Sequence, residues 1–405
     1  MPKICIIIGA SHAAAQLATS LRQEGWNERI LIIGDEPFAP YQRPPLSKAL
    51  LSGEKTVTDI LIRPLAVYNN NDIELKLGVV VEAINRSDKT IALTNGEVLH
   101  YDKLALCTGS RVRTVSLPGV NLTGIHYLRS ITDVEKIKHN IGKGKRAVIV
   151  GGGYIGLETA AVLTALGLKV TVLEMAPRVL ARVAAPELSE FFAKVHAEEG
   201  VTIKTGVTVS SFEGQGHVTR VTCADGNYFH ADLVVIGVGI VPNAELALAA
   251  GLDVENGVIV DEFCRTADPD IVAAGDCSNQ FNTLYDQRLR LESVPNATGQ
   301  GKTAAAAICG IELPYHPLPW FWSDQYELKL QIAGLNQGCD RVVIRGDRNK
   351  RSFAAFYLKK GKLISADCIN RPLEFMASKR LIVEKAFIDP IRLEDEATTP
   401  KEWTD

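Results

Sequence analysis

No apolar run in the 405-residue chain approaches the roughly 18 residues a membrane-crossing helix needs. Apolar runs such as Ile4–Ile8 and 147–150 fall far short of it, so membrane spanning is excluded. A surplus of positive charge is missing too. Forty-four Lys and Arg stand against 47 Asp and Glu, for a formal charge of −3, and no global field gathers polyphosphate. Nucleic acid is therefore not expected as a partner. Eight cysteines (Cys5, Cys107, Cys223, Cys264, Cys277, Cys309, Cys339, Cys368) show no CxxC or CxxxxC spacing. That argues for a reducing cytoplasm and against zinc, cysteine-bound iron–sulfur clusters and dithiol chemistry, so no metal is expected. Lys3, a short apolar run and Ala13-Ala14-Ala15 superficially imitate a signal peptide. A run this short that ends in glycine reads instead as a core strand, and a cytoplasmic location follows.

What is present is the profile of a folded protein: 46% hydrophobic and 22% charged residues, with 33 glycines and 18 prolines. The length suits two or three cores. Two segments repeat one plan of apolar run, small-residue turn, alanine-rich helix and second apolar run ending in an acid. The first is Ile4–Ile8, 9–14, a helix to about Gly25, 29–33 and Asp35; the second is 147–150, 151–156, a helix to about Leu166, 169–173 and Glu174. Two βαβ units imply two doubly wound domains. Alternating strands with Asn95-Gly96 and Asp225-Gly226 turns follow each and read as β-meanders. The predicted fold class is α/β, with two Rossmann-like dinucleotide-binding domains. One is discontinuous, 1–109 and 239–313; the other is 110–238. Residues 314–405 form a third, α+β domain ending in a polar tail after Asp395.

The turn Gly151-Gly152-Gly153-Tyr154-Ile155-Gly156 satisfies G-x-G-x-x-G between a strand and a helix, with Glu174 23 residues after Gly151. Gly151 makes the turn, Gly153 lets a pyrophosphate approach the helix N-terminus, and Gly156 permits close helix–strand packing. An acid at the second strand's end accepts from a ribose 2′-OH and repels a 2′-phosphate, which favours NADH over NADPH. The first turn, Gly9-Ala10-Ser11-His12-Ala13-Ala14, keeps only the first glycine. Ser11 there brings a Cβ to the pyrophosphate position, Ala14 is a small packing residue, and His12 is either a phosphate contact or a loop residue. Strand ends at Thr108-Gly109 and Gly239 join the nucleotide-contacting positions. Asp276 after a short apolar strand is either a ribityl-binding carboxylate or a turn aspartate. Two nucleotide sites in one chain suggest two redox cofactors in series, and a flavin is the obvious second carrier.

Further segments, Arg43-Pro44-Pro45-Leu46-Ser47-Lys48, 151–158, Gly275-Asp276-Cys277, 292–297 and 320–326, run in order along the chain. With them the whole chain resembles the FAD-dependent NADH:ferredoxin reductases of bacterial oxygenase systems, the putidaredoxin-reductase-like proteins with a glutathione-reductase-type fold. The resemblance implies FAD in the first dinucleotide-binding domain and NADH in the second. It puts Asp35 on the FAD ribose, Ala13, Val81 and Arg129 on FAD, and Lys48 beside the isoalloxazine with Glu158 paired near it. It also implies ribityl and ring contacts for Asp276 and Val294, an aromatic contact for Trp322, and the NADH adenosine portion for Glu174 and Arg182. Arg43 opens the segment that carries Lys48. Ser11 and Ala14 depart from the glycines common in the family.

Related flavoenzymes that reduce disulfides or peroxides carry a redox cysteine where this chain has 41–48, which holds none. Electrons then leave the flavin for an external acceptor, a [2Fe–2S] ferredoxin serving a cytochrome P450 or a Rieske-type, ring-hydroxylating oxygenase. Lys48 and Glu158 are the candidate catalytic pair, or else a purely structural one. The segment 341–362 holds eight basic residues and one acid, either a docking face for an acidic ferredoxin or solvated hairpins. Trp320 and Trp322 are core anchors or flavin neighbours. Alternatives are a rubredoxin reductase, an NADH oxidase, and a non-catalytic interaction protein of the apoptosis-inducing-factor type.

Overall fold

Ile4–Ile8 is buried along its whole length, as a strand must be when both faces of a parallel sheet are covered. The computed structural model describes residues 3–404, and the chain forms two compact units. The first comprises the chain up to Gln42, Thr58–Arg111 and Val241–Pro319. Its five-stranded parallel sheet runs in the order Ile271–Ala273, Lys103–Leu106, Ile4–Ile8, Arg29–Gly34, Ile73–Leu77. The helix His12–Gln23 buries Ala13, Ala14, Leu17, Ala18 and Leu21 on one side. It ends where Gly25 takes φ +88° and the Trp26 N–H closes on the Leu21 carbonyl, a turn that only glycine adopts without strain. Helix Val294–Ile308 lies so close to it that a Cβ at Gly301 would fall 2.8 Å from the Ala13 carbonyl oxygen.

The second unit comprises Arg43–Val57, Val112–Ile240 and the chain from Trp320 onward. Its parallel sheet runs Thr202–Thr205, Lys169–Glu174, Arg146–Val150, Leu233–Ile236, Ile125–Tyr127; read from the opposite edge, the first four match the order of the first sheet, but the fifth strand comes before them in the chain rather than after. Helix Tyr154–Ala165 follows the central strand and stops like its counterpart, with Gly167 at φ +86° and the Leu168 N–H on the Leu163 carbonyl. Both meanders form as the Asn-Gly and Asp-Gly turns predict, with Gly96 and Gly226 each at φ +84°. Among the described residues no helix is long and apolar enough to cross a membrane, and no group of three or more His, Cys, Asp and Glu is placed to hold a metal ion.

Past Pro319 the chain builds a five-stranded antiparallel sheet, Trp320–Gln325, Leu328–Gly334, Lys362–Ile369, Ser352–Lys359, Arg341–Asp347, under helix Pro372–Val383. The polar tail expected after Asp395 is not a tail. Trp403 is fully buried, 5.4 Å from the Phe356 ring, with the Arg345 guanidinium 5.2 Å from its own centroid. Arg345, expected on a basic surface, is 5% exposed and donates to the carbonyls of Leu393, Asp395, Glu396 and Thr398. The buried ring of Trp403 and the Arg345 hydrogen bonds together hold the chain end back on the sheet.

In the same sheet Asp367 is buried and accepts a hydrogen bond of 2.6 Å from the Tyr357 hydroxyl. Burial pushes its carboxyl up to about 7. The folded protein thus holds a proton that the unfolded chain releases, and stability falls as pH rises from about 4 to 7. Asp367→Asn is expected to flatten that decline in a series of thermal unfolding curves across this range. Trp403→Ala is expected to lose about 3–5 kcal/mol, read as a lower melting temperature at fixed pH.

Candidate functional site

At the end of each central strand the backbone turns against its neighbour across the point where strand order reverses. Gly9, at φ +108°, would place a Cβ 2.1 Å from the Cys107 carbonyl oxygen; Gly151, at φ +111°, would place one 2.3 Å from that of Gly237. Both contact and conformation demand glycine, and both turns open where doubly wound sheets bind ligands. Neither following helix has a side-chain cap: Ser11 and Gly153 occupy the N-cap positions without a capping hydrogen bond, and neither first turn holds an acid. The helix at Ser130 has a complete capping box and that at Ser293 a side-chain cap, while the long helices Pro186–Glu198 and Pro372–Val383, also without a side-chain cap, begin with proline and carry an acid in the first turn, which the two repeat-turn helices do not. Bare N–H groups at the positive end of a helix fit a pyrophosphate.

In the first unit Ser11 has ordinary extended backbone angles, φ −138° and ψ −155°, so its replacement of glycine strains nothing in the chain. His12 is the first helical residue, its Nδ1 3.4 Å from the Ser11 hydroxyl. Ala13 and Ala14 are buried, and a Cβ at Gly275 would meet the Ala13 methyl at 3.3 Å, which makes smallness their evident requirement. Asp35 is exposed just beyond the second strand. Gly34 before it would bring a Cβ to 2.6 Å from that of Ala10, locking strand end to turn. Thr108 donates from its hydroxyl to the Asn243 carbonyl at 2.6 Å, while the Asn243 amide donates back to the Thr108 carbonyl at 2.9 Å; Gly109 lies at φ +64°. Asp276 accepts from the Ser110 hydroxyl at 2.7 Å. Val294 is the first residue of its helix and half-buried. Val81 is not brought to the turn by its side chain, which sits in the core with Ile4, Ile6 and Leu31.

In the second unit a Cβ at Gly153 would meet nothing within 4 Å, whereas one at Gly156 would fall 2.2 Å from the Gly151 carbonyl oxygen. The third glycine serves packing and the second keeps an opening beside the helix terminus. Glu174 accepts from the backbone N–H groups of Gly152 at 2.6 Å and Ala176 at 2.7 Å, which fixes its carboxylate at the fingerprint turn. Arg178, which the sequence reading missed, shapes the following loop through Ala181, Ala184 and Ser189. Arg182 is exposed on that loop, and Met175 is 71% exposed beside Glu174. Gly239 stands at φ +102° with open space around it. Arg43 donates to the Arg129 carbonyl at 2.6 Å, which brings these two candidates together.

Helix Tyr154–Ala165 carries Glu158, only 3% exposed. Its carboxylate receives the Lys48 ammonium at 2.7 Å, the Ser47 hydroxyl at 2.6 Å and the Ser323 hydroxyl at 2.6 Å. Lys48 also approaches the Pro44 carbonyl, at 3.4 Å. Ser47 and Ser323 were not singled out by the sequence; the signals were a serine beside the lysine and the period of two in a strand. That period turns Phe321 and Ser323 toward the helix, with Phe321 4.9 Å from the Tyr154 ring, and puts Trp320 and Trp322 on the other face, 5.8 Å apart. Trp320 also packs on Phe375, 5.7 Å away. Ile155 is 48% exposed beside the turn. Burial, and then the nearby Asp367 and Glu158 carboxylates, hold the Tyr154 phenol well above its usual range.

The description "Pyridine nucleotide-disulphide oxidoreductase" matches residues 3–301, and "Reductase C-terminal" matches 320–404. The chain belongs to the pyridine nucleotide-disulphide oxidoreductase family. It is 42% identical to putidaredoxin reductase CamA of Pseudomonas putida, over 98% of this chain and 96% of that one. It is 44% identical to a probable ferredoxin reductase, CtmF, of Castellaniella defragrans, over 96% of each. The crystal structure of the covalent putidaredoxin reductase–putidaredoxin complex matches with a TM-score of 0.96 at 41% identity, covering 99% of this chain and 97% of that one. Family membership implies FAD and NAD(H), and the bare helix termini and the opening at Gly153 fit such nucleotides.

Gly153→Ala, with an ordinary φ of −80° and no neighbour, is expected to leave stability within about 0.5 kcal/mol while weakening NADH binding by roughly tenfold. Gly156→Ala is expected to destabilise the fold by about 1–3 kcal/mol, because its Cβ must displace backbone. Thermal unfolding and NADH titration of both variants separate the two roles.

Proposed function

We propose that the protein is an NADH-dependent ferredoxin reductase: an FAD enzyme that passes electrons to a [2Fe–2S] ferredoxin, which in turn feeds a cytochrome P450 or a ring-hydroxylating oxygenase. The observation that carries this reading is the ion pair between buried Glu158 and partly buried Lys48, the lysine lying in a segment, 41–48, without cysteine. FAD held by these residues would supply a centre able to take a hydride from NADH and give up electrons one at a time. The chain contributes position and charge. In the first unit Gly9, Ser11, His12, Ala13 and Ala14 form the turn for the FAD pyrophosphate. Asp35 holds the ribose, Thr108, Gly109, Asp276 and Val294 supply further FAD contacts, and Val81 contributes through its backbone. In the second unit Gly151, Gly153, Tyr154, Ile155 and Gly156 bind NADH, with Glu174 and Arg182 on its adenosine portion and Gly239 at the facing strand end. Arg43, Arg129 and Trp322 take the FAD contacts that the resemblance assigns them. Lys48 holds a positive charge at Nζ for the reacting ring, and Glu158 keeps that charge in place.

The thiols support an exit that bypasses sulfur. All eight cysteines are unpaired, and burial pushes those of Cys5, Cys107 and Cys264 far up, which suppresses the nucleophilic thiolate. A cytoplasmic location accords with this. The dinucleotide-binding domains are assigned to 1–109 with 239–313 and to 110–238, and the C-terminal domain to 314–405.

The ferredoxin face is smaller than the sequence suggested. Arg345 is internal, and Arg351 is committed to Glu198, Glu199 and Glu327. Arg341, Arg348, Lys350, Lys359, Lys360 and Lys362 remain to steer an acidic partner.

The purified protein is expected to be yellow, to be bleached by NADH in preference to NADPH, and to reduce cytochrome c only when a [2Fe–2S] ferredoxin is added. Rapid oxygen consumption without stimulation by any ferredoxin would instead establish an oxidase. Glu174→Ala is expected to lower the preference for NADH over NADPH by about tenfold, some 1.4 kcal/mol. Reversing the charges of Arg348 and Lys350 is expected to slow ferredoxin reduction and flatten its salt dependence; an unchanged dependence removes this face from the docking surface.

A further inference from the structure

Beyond the pair itself, the Glu158 carboxylate is the end of a longer chain of contacts. Ser323 Oγ lies 2.6 Å from Glu158 Oε1, Gln325 Nε2 lies 3.2 Å from Ser323 Oγ, His196 Nε2 lies 2.9 Å from Gln325 Oε1, and Tyr326 Oη lies 2.9 Å from His196 Nδ1. Ser323, Gln325 and His196 are each no more than 1% exposed. Water therefore does not complete their hydrogen bonds, and the proton positions are constrained from one end.

A carboxylate only accepts, so the single proton of Ser323 is committed to Glu158. The serine oxygen must then accept from the Gln325 amide nitrogen, which turns the Gln325 carbonyl toward His196. That carbonyl requires a donor, so Nε2 of His196 bears hydrogen. Burial holds the imidazole below its usual range, and it is neutral, leaving Nδ1 to accept from the Tyr326 hydroxyl. Every donor points toward Glu158. A primary amide is a poor proton carrier, so the chain orders its members rather than conducting protons.

We propose that His196 is a positioning residue for hydride transfer. Locked as the neutral Nε2–H tautomer between Tyr326 and Gln325, it orients Ser323 on Glu158 and thereby fixes Lys48. This rests on the reading of Lys48 and Glu158 given under Proposed function. Outer contacts of this kind commonly govern the orientation of a reacting group.

Nitrogen-15 NMR of the histidine-labelled holoenzyme, with His196 assigned by its loss in His196→Phe, is expected to show a bare Nδ1 and a protonated Nε2 at neutral pH. A protonated Nδ1, alone or with Nε2, overturns the chain. In stopped flow, His196→Phe and Ser323→Ala are each expected to slow flavin bleaching by NADH on the order of tenfold at saturating NADH. The double variant is expected to be no slower than the slower single one, since both cut the same chain. Multiplying effects, or an unchanged rate in a folded His196→Phe, overturn the proposal. Lys48→Met in the same assay tests the parent reading separately: an unchanged rate there removes the role of the pair, whatever the tautomer of His196.

Discussion

A carboxylate 3% exposed in the middle of a helix is costly unless donors meet it, and Glu158 meets three. They come from Ser47 and Lys48, 111 and 110 residues earlier, and from Ser323, 165 residues later. Helix Tyr154–Ala165 can bury this side chain only with the segment Arg43–Val57 and the strand Trp320–Gln325 docked against it. An uncompensated buried charge would cost several kcal/mol, a large part of the net stability of a folded domain. One charge thus ties three distant stretches of the second unit, and it holds Lys48 in a defined place.

A second constraint is repeated in the two parallel sheets. A glycine at positive φ presses against a carbonyl of the neighbouring strand, and the helix that follows starts without a cap. Elsewhere in the chain the helices at Ser130 and Ser293 satisfy a first-turn N–H group with serine, and those at Pro186 and Pro372 place a proline and an acid there. Leaving two termini bare costs stability, about 1 kcal/mol each by the usual value of a cap, and is sensible where an anion takes the place of the cap. The turns differ at the second glycine position. Gly153 keeps space open, and Ser11 fits because its backbone is extended, so the degraded fingerprint still forms the same uncapped turn.

The repeat, its strands and its turn glycines were legible because they are local: period, turn chemistry and spacing fall within some thirty residues. The Asp-Gly and Asn-Gly turns were legible for the same reason. Trp403 was not, since nothing in a polar segment indicates which distant ring will cover it. Arg345 and Arg351 counted as surface charge until their partners, far along the chain, were in view. Val81 came from resemblance and proved a core residue by its side chain. Ser47 and Ser323 stood within the motifs without a visible partner, and His196 carried no signal, since a lone histidine on a helix has no sequence feature naming what it faces.

By itself the sequence determined the two nucleotide folds, the glycines they need, the acid at the end of the second strand and the absence of a redox cysteine beside Lys48, because each depends on residue type at short spacing. Only the tertiary structure decided which side chains surround Glu158, which arginines are tied up within the fold and how the chain end packs. Those outcomes depend on burial and on contacts between residues more than a hundred positions apart, where hydrogen-bond donors and charges are matched by geometry rather than by order along the chain.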